Sequence, residues 1–75
     1  MPHVRNAGAV FNTANEVAVE YFLSKRIAFT AIFSVVARVL EREDFQPLNS
    51  LDAVLQTISL TRKKTIALIE KEVMK

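Results

Sequence analysis

The sequence predicts an all-α fold, a small bundle of three to four helices. One glycine and two prolines among 75 residues leave long segments free of helix breakers, and a hydrophobic fraction of 51% is too high for a disordered chain. Cysteine is absent, which excludes a disulfide framework and a thiolate zinc site. A chain this short buries only about 60% of its unfolded surface, so we expect marginal stability.

We expect residues 1–8 to form an irregular lead-in and residues 9–75 to form a single helical domain. His3 has no companion at metal-ligand spacing, so it is interpreted as a solvated terminal histidine. The first helix should span about residues 9–24, with Lys25 and Arg26 favourably placed near its negative end. Its apolar face recurs every three or four residues. That face comprises Val10, Phe11, Ala14, Val17, Ala18, Tyr21 and Phe22.

A second helix is predicted over about residues 31–43, with Thr30 as its N-cap. Its apolar face consists mostly of β-branched residues, which have modest helix propensity, so this segment needs burial to remain helical. Pro47 marks residues 44–49 as a loop, from which Phe45 and Leu48 should tuck under the bundle. The predicted buried stripe of the second helix is Ile32, Val35, Val36, Val39 and Leu40, with Phe33 beside it.

The third helix is predicted over about residues 51–73, with Ser50 as its N-cap and Asp52 in its first turn. Its apolar stripe becomes irregular after Leu60, so a bend or break is expected near residues 59–62. The predicted buried stripe is Leu51, Val54, Leu55 and Ile58.

The chain offers no convergent catalytic groups, and we predict no catalytic, cofactor-binding or metal-ligating residue. The lone Gly8 excludes both a dinucleotide fingerprint and a P-loop. Glu16 and Glu20 stand one helical turn apart, but a solvated or ion-paired helix face explains them better than a carboxylate pair.

The net charge of +2 permits an acidic partner without requiring one. Arg62, Lys63 and Lys64 point in different directions on a helix and are interpreted as a solvated face, so we predict no nucleic-acid partner. The longest apolar-rich run, residues 27–40, is interrupted by polar residues, so no membrane span is predicted. The alternative interpretation of the whole chain is a free-standing basic helical module that binds a protein or a nucleic acid.

Asn12, Asn15 and Glu16 form a polar cluster on the first helix, because residues three and four apart are neighbours on a helix surface. One interpretation is capping, with Asn12 as N-cap and Asn15 at N3. If the helix instead begins near Ala9, these residues have poor helix propensity and should bond elsewhere in the domain or in a neighbouring one. The sequence leaves both open.

The stretch from Val10 to Val19 resembles the Val-Leu-Asn-Ala-Ala-Asn-Glu-Val-Ala-Val motif in the C-terminal helical domain of the 1-deoxy-D-xylulose 5-phosphate reductoisomerase family. The later stretch from Ser50 to Leu55 is similar to the start of the last helix in that family. The chain departs from the family pattern at Ala7 to Ala9 and at Ile58.

This resemblance implies a fragment of a larger multidomain enzyme of non-mevalonate isoprenoid biosynthesis. It implies that the parent uses NADPH and a divalent metal, Mg or Mn, and is a homodimer in the bacterial cytoplasm or a plastid-type organelle. The chain itself would be non-catalytic and would support the catalytic domain of the same polypeptide. No site residue of the parent is carried over, and Asn12, Asn15 and Glu16 are expected to be structural or interdomain residues.

Overall fold

The computed structural model describes residues 7–42 and 50–74. These residues form α1 (Ala7–Leu23), α2 (Phe29–Arg42) and α3 (Leu51–Leu68), and a π-helical segment (Ile69–Val73) follows α3 directly. No strand occurs within these two ranges, and the predicted all-α class is confirmed. The predictions for His3, for most of the lead-in and for the loop with Phe45 and Leu48 lie outside the described residues.

The core lies where α1 packs against both α2 and α3, whereas α2 and α3 touch each other less extensively. The predicted faces of α1 and α2 supply most of it. Tyr21, Phe22 and Leu40 are half-buried, and Phe11, expected inside, is 47% exposed. The buried apolar residues are Val10, Ala14, Val17, Ala18, Ile27, Ile32, Val35, Val36, Val39, Leu68 and Ile69.

The end of α1 is set by backbone geometry as well as by charge. Lys25 has a φ of 63°, in the left-handed region, and its N–H donates to the Phe22 carbonyl oxygen at 2.9 Å. The Arg26 N–H reaches back to the Tyr21 carbonyl oxygen at 2.9 Å. These two bonds form a Schellman motif, which satisfies carbonyls that the last turn leaves unpaired. The Arg26 guanidinium also lies 5.6 Å from the centre of the Tyr21 ring, a cation–π contact across the same turn.

Both α1 and α2 begin two residues earlier than predicted, at Ala7 and Phe29. The prediction of Thr30 as an N-cap is wrong, because Thr30 lies inside α2. The Ala28 carbonyl oxygen instead accepts from the Ala31 N–H at 3.0 Å. The ring of Phe29 meets that of Phe22 edge-on at 5.5 Å, and this contact holds the first residue of α2 against α1.

The N-cap prediction for α3 is confirmed, since the Ser50 hydroxyl oxygen accepts from the Ala53 N–H at 3.1 Å. The expected break near residues 59–62 is wrong, because α3 runs unbroken through that stretch, whereas a bend there stays a prediction. The helix changes from α to π geometry later, at Ile69–Val73. There the Met74 N–H donates to the Ile69 carbonyl oxygen five residues back, at 2.8 Å.

The predicted burial of the N-terminal stripe of α3 is also wrong. Leu51 is 72% exposed, Leu55 56% and Ile58 39%. The buried residues of α3 begin only at Thr61 and continue with Thr65. The physical reason is coverage: α1 and α2 bury the C-terminal half of α3, whereas the first half is covered only in part, with Ala53, Val54 and Thr57 half-buried.

Thr61→Val should raise the free energy of unfolding by about 1 kcal/mol, because a buried hydroxyl without a partner costs stability. Thr61 is fully buried, and its hydroxyl finds no hydrogen-bond partner within the described ranges. Valine keeps the same shape and a β-branched side chain. Chemical denaturation would measure the change.

Thr65→Val is the matched control for that substitution. Thr65 is equally buried, but its hydroxyl donates to the Thr61 carbonyl oxygen at 2.7 Å. Its replacement should destabilise the domain, since a satisfied bond is lost. A loss of stability in both variants would contradict this account of Thr61.

Candidate functional site

The predicted polar cluster lies on one side of α1. Asn12 and Glu16 are exposed and Asn15 is half-buried. All three lie inside the helix, which begins at Ala7, so the capping interpretation of Asn12 is wrong. No side-chain hydrogen bond or ion pair joins these three residues to any other described residue. The cluster is therefore a polar surface presented by the domain.

The neighbouring carboxylate, Glu20, has a different role. Its Oε1 atom accepts from Nη2 of Arg62 at 2.9 Å, an ion pair that links α1 to α3. Both side chains are about half exposed, so the pair contributes only about 0–1 kcal/mol. The ion pair nevertheless occupies Arg62, one charge of the basic cluster formed by Arg62, Lys63 and Lys64. It also engages the Glu20 carboxylate, which therefore does not act as a pair with Glu16.

A second contact joins the end of α1 to the π-helical segment. The Tyr21 hydroxyl donates to Oε2 of Glu70 at 2.9 Å. Burial of the ring, followed by this bond to a carboxylate, raises the pKa of the Tyr21 hydroxyl above its usual value. Tyr21 therefore remains a neutral donor at physiological pH.

Glu72 fastens the π-helical segment to α2. Its two carboxylate oxygens accept from Nη1 and Nη2 of Arg42 at 2.6 and 2.9 Å, a bidentate pair. Nη1 of Arg38 adds a contact of 3.4 Å to Oε1. The bond to Arg42 lowers the pKa of the Glu72 carboxyl and raises that of the Arg42 guanidinium. The sequence did not predict this cluster, because Arg42 and Arg38 lie 30 and 34 residues from Glu72 and follow no local spacing.

The stability supplied by Glu72 should vanish in acid. A carboxyl whose pKa is lower in the folded state stabilises fully above its unfolded pKa, about 4, and loses this contribution as the pH falls through the folded pKa. The melting temperature of the wild type should exceed that of Glu72→Gln at pH 7, and the two should converge at low pH. A difference that persists unchanged at low pH would contradict the ion-pair account.

A cleft of about 350 Å³ opens between the C-terminal ends of α2 and α3. It is partly open to solvent, and Arg42 and Glu72 are already bonded to each other at its edge. Lys64, also at the cleft, is engaged in an interaction of its own. The cleft residues are Val39, Arg42, Lys64, Ala67, Leu68, Lys71 and Glu72.

Metal-ligating groups do not converge in the part of the chain that the structure describes. Residues 7–42 and 50–74 contain no group of three or more His, Cys, Asp or Glu side chains able to hold a metal ion. The described residues therefore offer no ligand set for the divalent metal that the resemblance implies for the parent enzyme. What the described surface offers is a polar cluster on α1, an exposed apolar stripe on α3 and ion pairs that tie the helices together.

Comparison with known families gives a direct match for most of the chain. Residues 2–64 match the family model described as the DXP reductoisomerase C-terminal domain. The chain belongs to this family. The match contains the polar cluster of α1 and the exposed stripe of α3, whereas residues 65–75 lie beyond it.

Curated relatives carry the name 1-deoxy-D-xylulose 5-phosphate reductoisomerase. The protein from Pseudomonas putida F1 is 55% identical over 49 residues, 65% of this chain and 12% of the relative. The Moorella thermoacetica protein is 42% identical over 62 residues, 83% of this chain and 16% of the relative. The protein from Ralstonia nicotianae is 48% identical over 58 residues, which are 77% of this chain and 15% of the relative. The alignments thus cover between 12% and 16% of the length of these reductoisomerases.

No solved structure was found to match this member of the family. Among the helices of the described residues, none combines the length and the apolar character needed to cross a bilayer.

Proposed function

We propose that the chain acts as the non-catalytic C-terminal structural domain of a 1-deoxy-D-xylulose 5-phosphate reductoisomerase, packing against and supporting the catalytic domain of the same polypeptide. The observation that carries the proposal is the family match over residues 2–64, which includes a polar cluster without partners among the described residues. Two asparagines inside a helix are poor choices for propensity alone. A role in contacting another domain explains why they are there.

The parent enzyme in this proposal uses NADPH and a divalent metal, Mg or Mn, to rearrange and reduce 1-deoxy-D-xylulose 5-phosphate in the non-mevalonate pathway. It is a homodimer of the bacterial cytoplasm or a plastid-type organelle. The cofactor, the metal and the substrate are bound by its other domains. The helical domain contributes stability and position to them rather than reacting groups.

A chimera tests this proposal. The segment of the Moorella thermoacetica reductoisomerase that aligns over 62 residues would be replaced by the matching part of this chain. Steady-state oxidation of NADPH with 1-deoxy-D-xylulose 5-phosphate would be compared among the parent, the chimera and an enzyme that lacks the segment. The proposal expects activity in the chimera and its loss in the truncated enzyme. An inactive, correctly folded chimera would overturn it.

Asn15→Ala should distinguish an interdomain contact from one inside the domain. Because Asn15 bonds to no described residue, the isolated chain should change by less than about 0.5 kcal/mol. The chimera should lose about 1–3 kcal/mol, because a buried partner in the other domain is left unsatisfied. Thermal melting measures both, with exposed Ser34→Ala as the control. An equal loss in the isolated chain would place the partner of Asn15 inside these 75 residues.

The alternative of a free-standing nucleic-acid-binding module makes a different prediction. Phosphate contacts make affinity fall steeply with salt. Tight, salt-sensitive binding of duplex DNA by the isolated chain would favour that alternative. The ion pair between Arg62 and Glu20 argues against it, since it uses part of the basic cluster.

A further inference from the structure

The first half of α3 carries an apolar stripe that continues the buried face of the same helix. Leu51, the half-buried Val54 and Ile58 are followed at spacings of three and four by Thr61 and Thr65, and Leu55 lies one turn after Leu51 at the exposed edge of this row. Residues at this spacing lie along one face of a helix. The face is fully buried at Thr61 and Thr65, whereas Leu51 is 72% and Ile58 39% exposed. One face of α3 is thus buried by α1 and α2 in its C-terminal half and largely exposed in its N-terminal half.

The opposite side of the first half of α3 carries several polar residues, together with the half-exposed Leu60. Asp52, Gln56, Ser59 and Lys63 follow the same alternation of four and three, and all are exposed. None of the residues from 50 to 60 is buried. A helical stretch of about 11 residues without a packed face is marginal in water. The exposed apolar stripe of this helix therefore needs a surface to lie against.

The spacing indicates what kind of surface fits. Apolar residues alternating at three and four form the seam by which helices pack side by side, with knobs entering the holes of the facing helix. We infer that the stripe formed by Leu51, Leu55 and Ile58 is a docking surface for an amphipathic helix from the remaining part of the reductoisomerase polypeptide. The inference rests on the proposed function, since it takes its partner from the parent enzyme.

The extent of the stripe favours a tethered partner over a second copy of the chain. A stable complex between separate molecules buries roughly 800 Å² on each partner. Three large apolar side chains fall short of that area. A segment of the same polypeptide needs less, because the covalent link holds it at an effective concentration in the millimolar range. The aligned segment covers 12–16% of the relatives above, which leaves ample chain in them to supply such a helix.

Hydrogen exchange in the Moorella chimera tests the docking surface independently of activity. Amides of residues 54–60 should exchange rapidly in the isolated chain and at least about tenfold more slowly in the chimera. Leu55→Glu should abolish this protection in the chimera while leaving the melting temperature of the isolated chain unchanged. Leu60→Glu is the matched control, because Leu60 is 51% exposed against 56% for Leu55 and lies on the opposite side of α3.

Three results would overturn the inference. The first is an active chimera whose residues 54–60 exchange as fast as in the isolated chain, which would leave the proposed function standing. The second is an equal loss of protection in Leu55→Glu and Leu60→Glu. The third is a dimer of the isolated chain, seen by sedimentation and broken by Leu55→Glu alone, which would make a second copy the occupant.

Discussion

Ile69→Ala should lower the free energy of unfolding by about 2–5 kcal/mol, the range for removing a fully buried isoleucine side chain. Ile69 is 0% exposed at the junction between α3 and the π-helical segment. A chain of 75 residues has a total stability of roughly 4–11 kcal/mol, so the variant should be partly unfolded near its working temperature. Urea denaturation followed by circular dichroism would measure the loss.

Ile58→Ala provides the control for that substitution, because it removes the same atoms at a position of α3 that is 39% exposed. In the isolated chain it should cost much less than Ile69→Ala. Equal losses in the two variants would contradict the placement of the core around the C-terminal half of α3.

Ala14→Leu should destabilise the domain by about 1–3 kcal/mol, because extra methylene groups in a packed interior force neighbouring side chains out of their rotamers. Ala14 is fully buried on the face of α1 that packs into the core. Leucine and alanine have similar helix propensities, so the effect isolates packing. The change would lower the melting temperature by about 4–8 °C for each kcal/mol.

Ala37→Leu is its counterpart on an exposed position of α2. It should leave the melting temperature nearly unchanged. A loss as large as that of Ala14→Leu would mean that helix propensity, rather than close packing of α1, determines the effect.

The sequence predicted the class of fold and the core faces of α1 and α2, because their apolar residues recur at the helical period and both faces are covered within the chain. Val17 and Val35 are fully buried as expected. The periodicity of α3 is equally regular, yet Leu51 and Leu55 are exposed. Periodicity identifies a face that is suited to burial, but it does not reveal whether the partner lies within the same 75 residues.

The other differences arise from contacts that local patterns do not encode. The Phe22–Phe29 ring contact lies at the start of α2, and the left-handed conformation of Lys25 lies at the end of α1. The bidentate ion pair between Arg42 and Glu72 joins side chains that are 30 residues apart in the sequence. The polar cluster on α1 was recognisable from the sequence, because Asn12 and Asn15 stand one turn apart and asparagine is unusual in a helix interior.

The claim that this domain supports a catalytic partner without supplying reacting groups is tested most directly by the turnover of the chimera with Glu16→Gln. Glu16 is the unpaired carboxylate of the polar cluster within the described residues. A supporting role predicts a kcat within about twofold of the unmodified chimera once both are folded, because a group that moves no proton does not change the chemical step. A fall in kcat of about 100-fold or more at an unchanged melting temperature would contradict it, since that is the loss expected for a general acid or base.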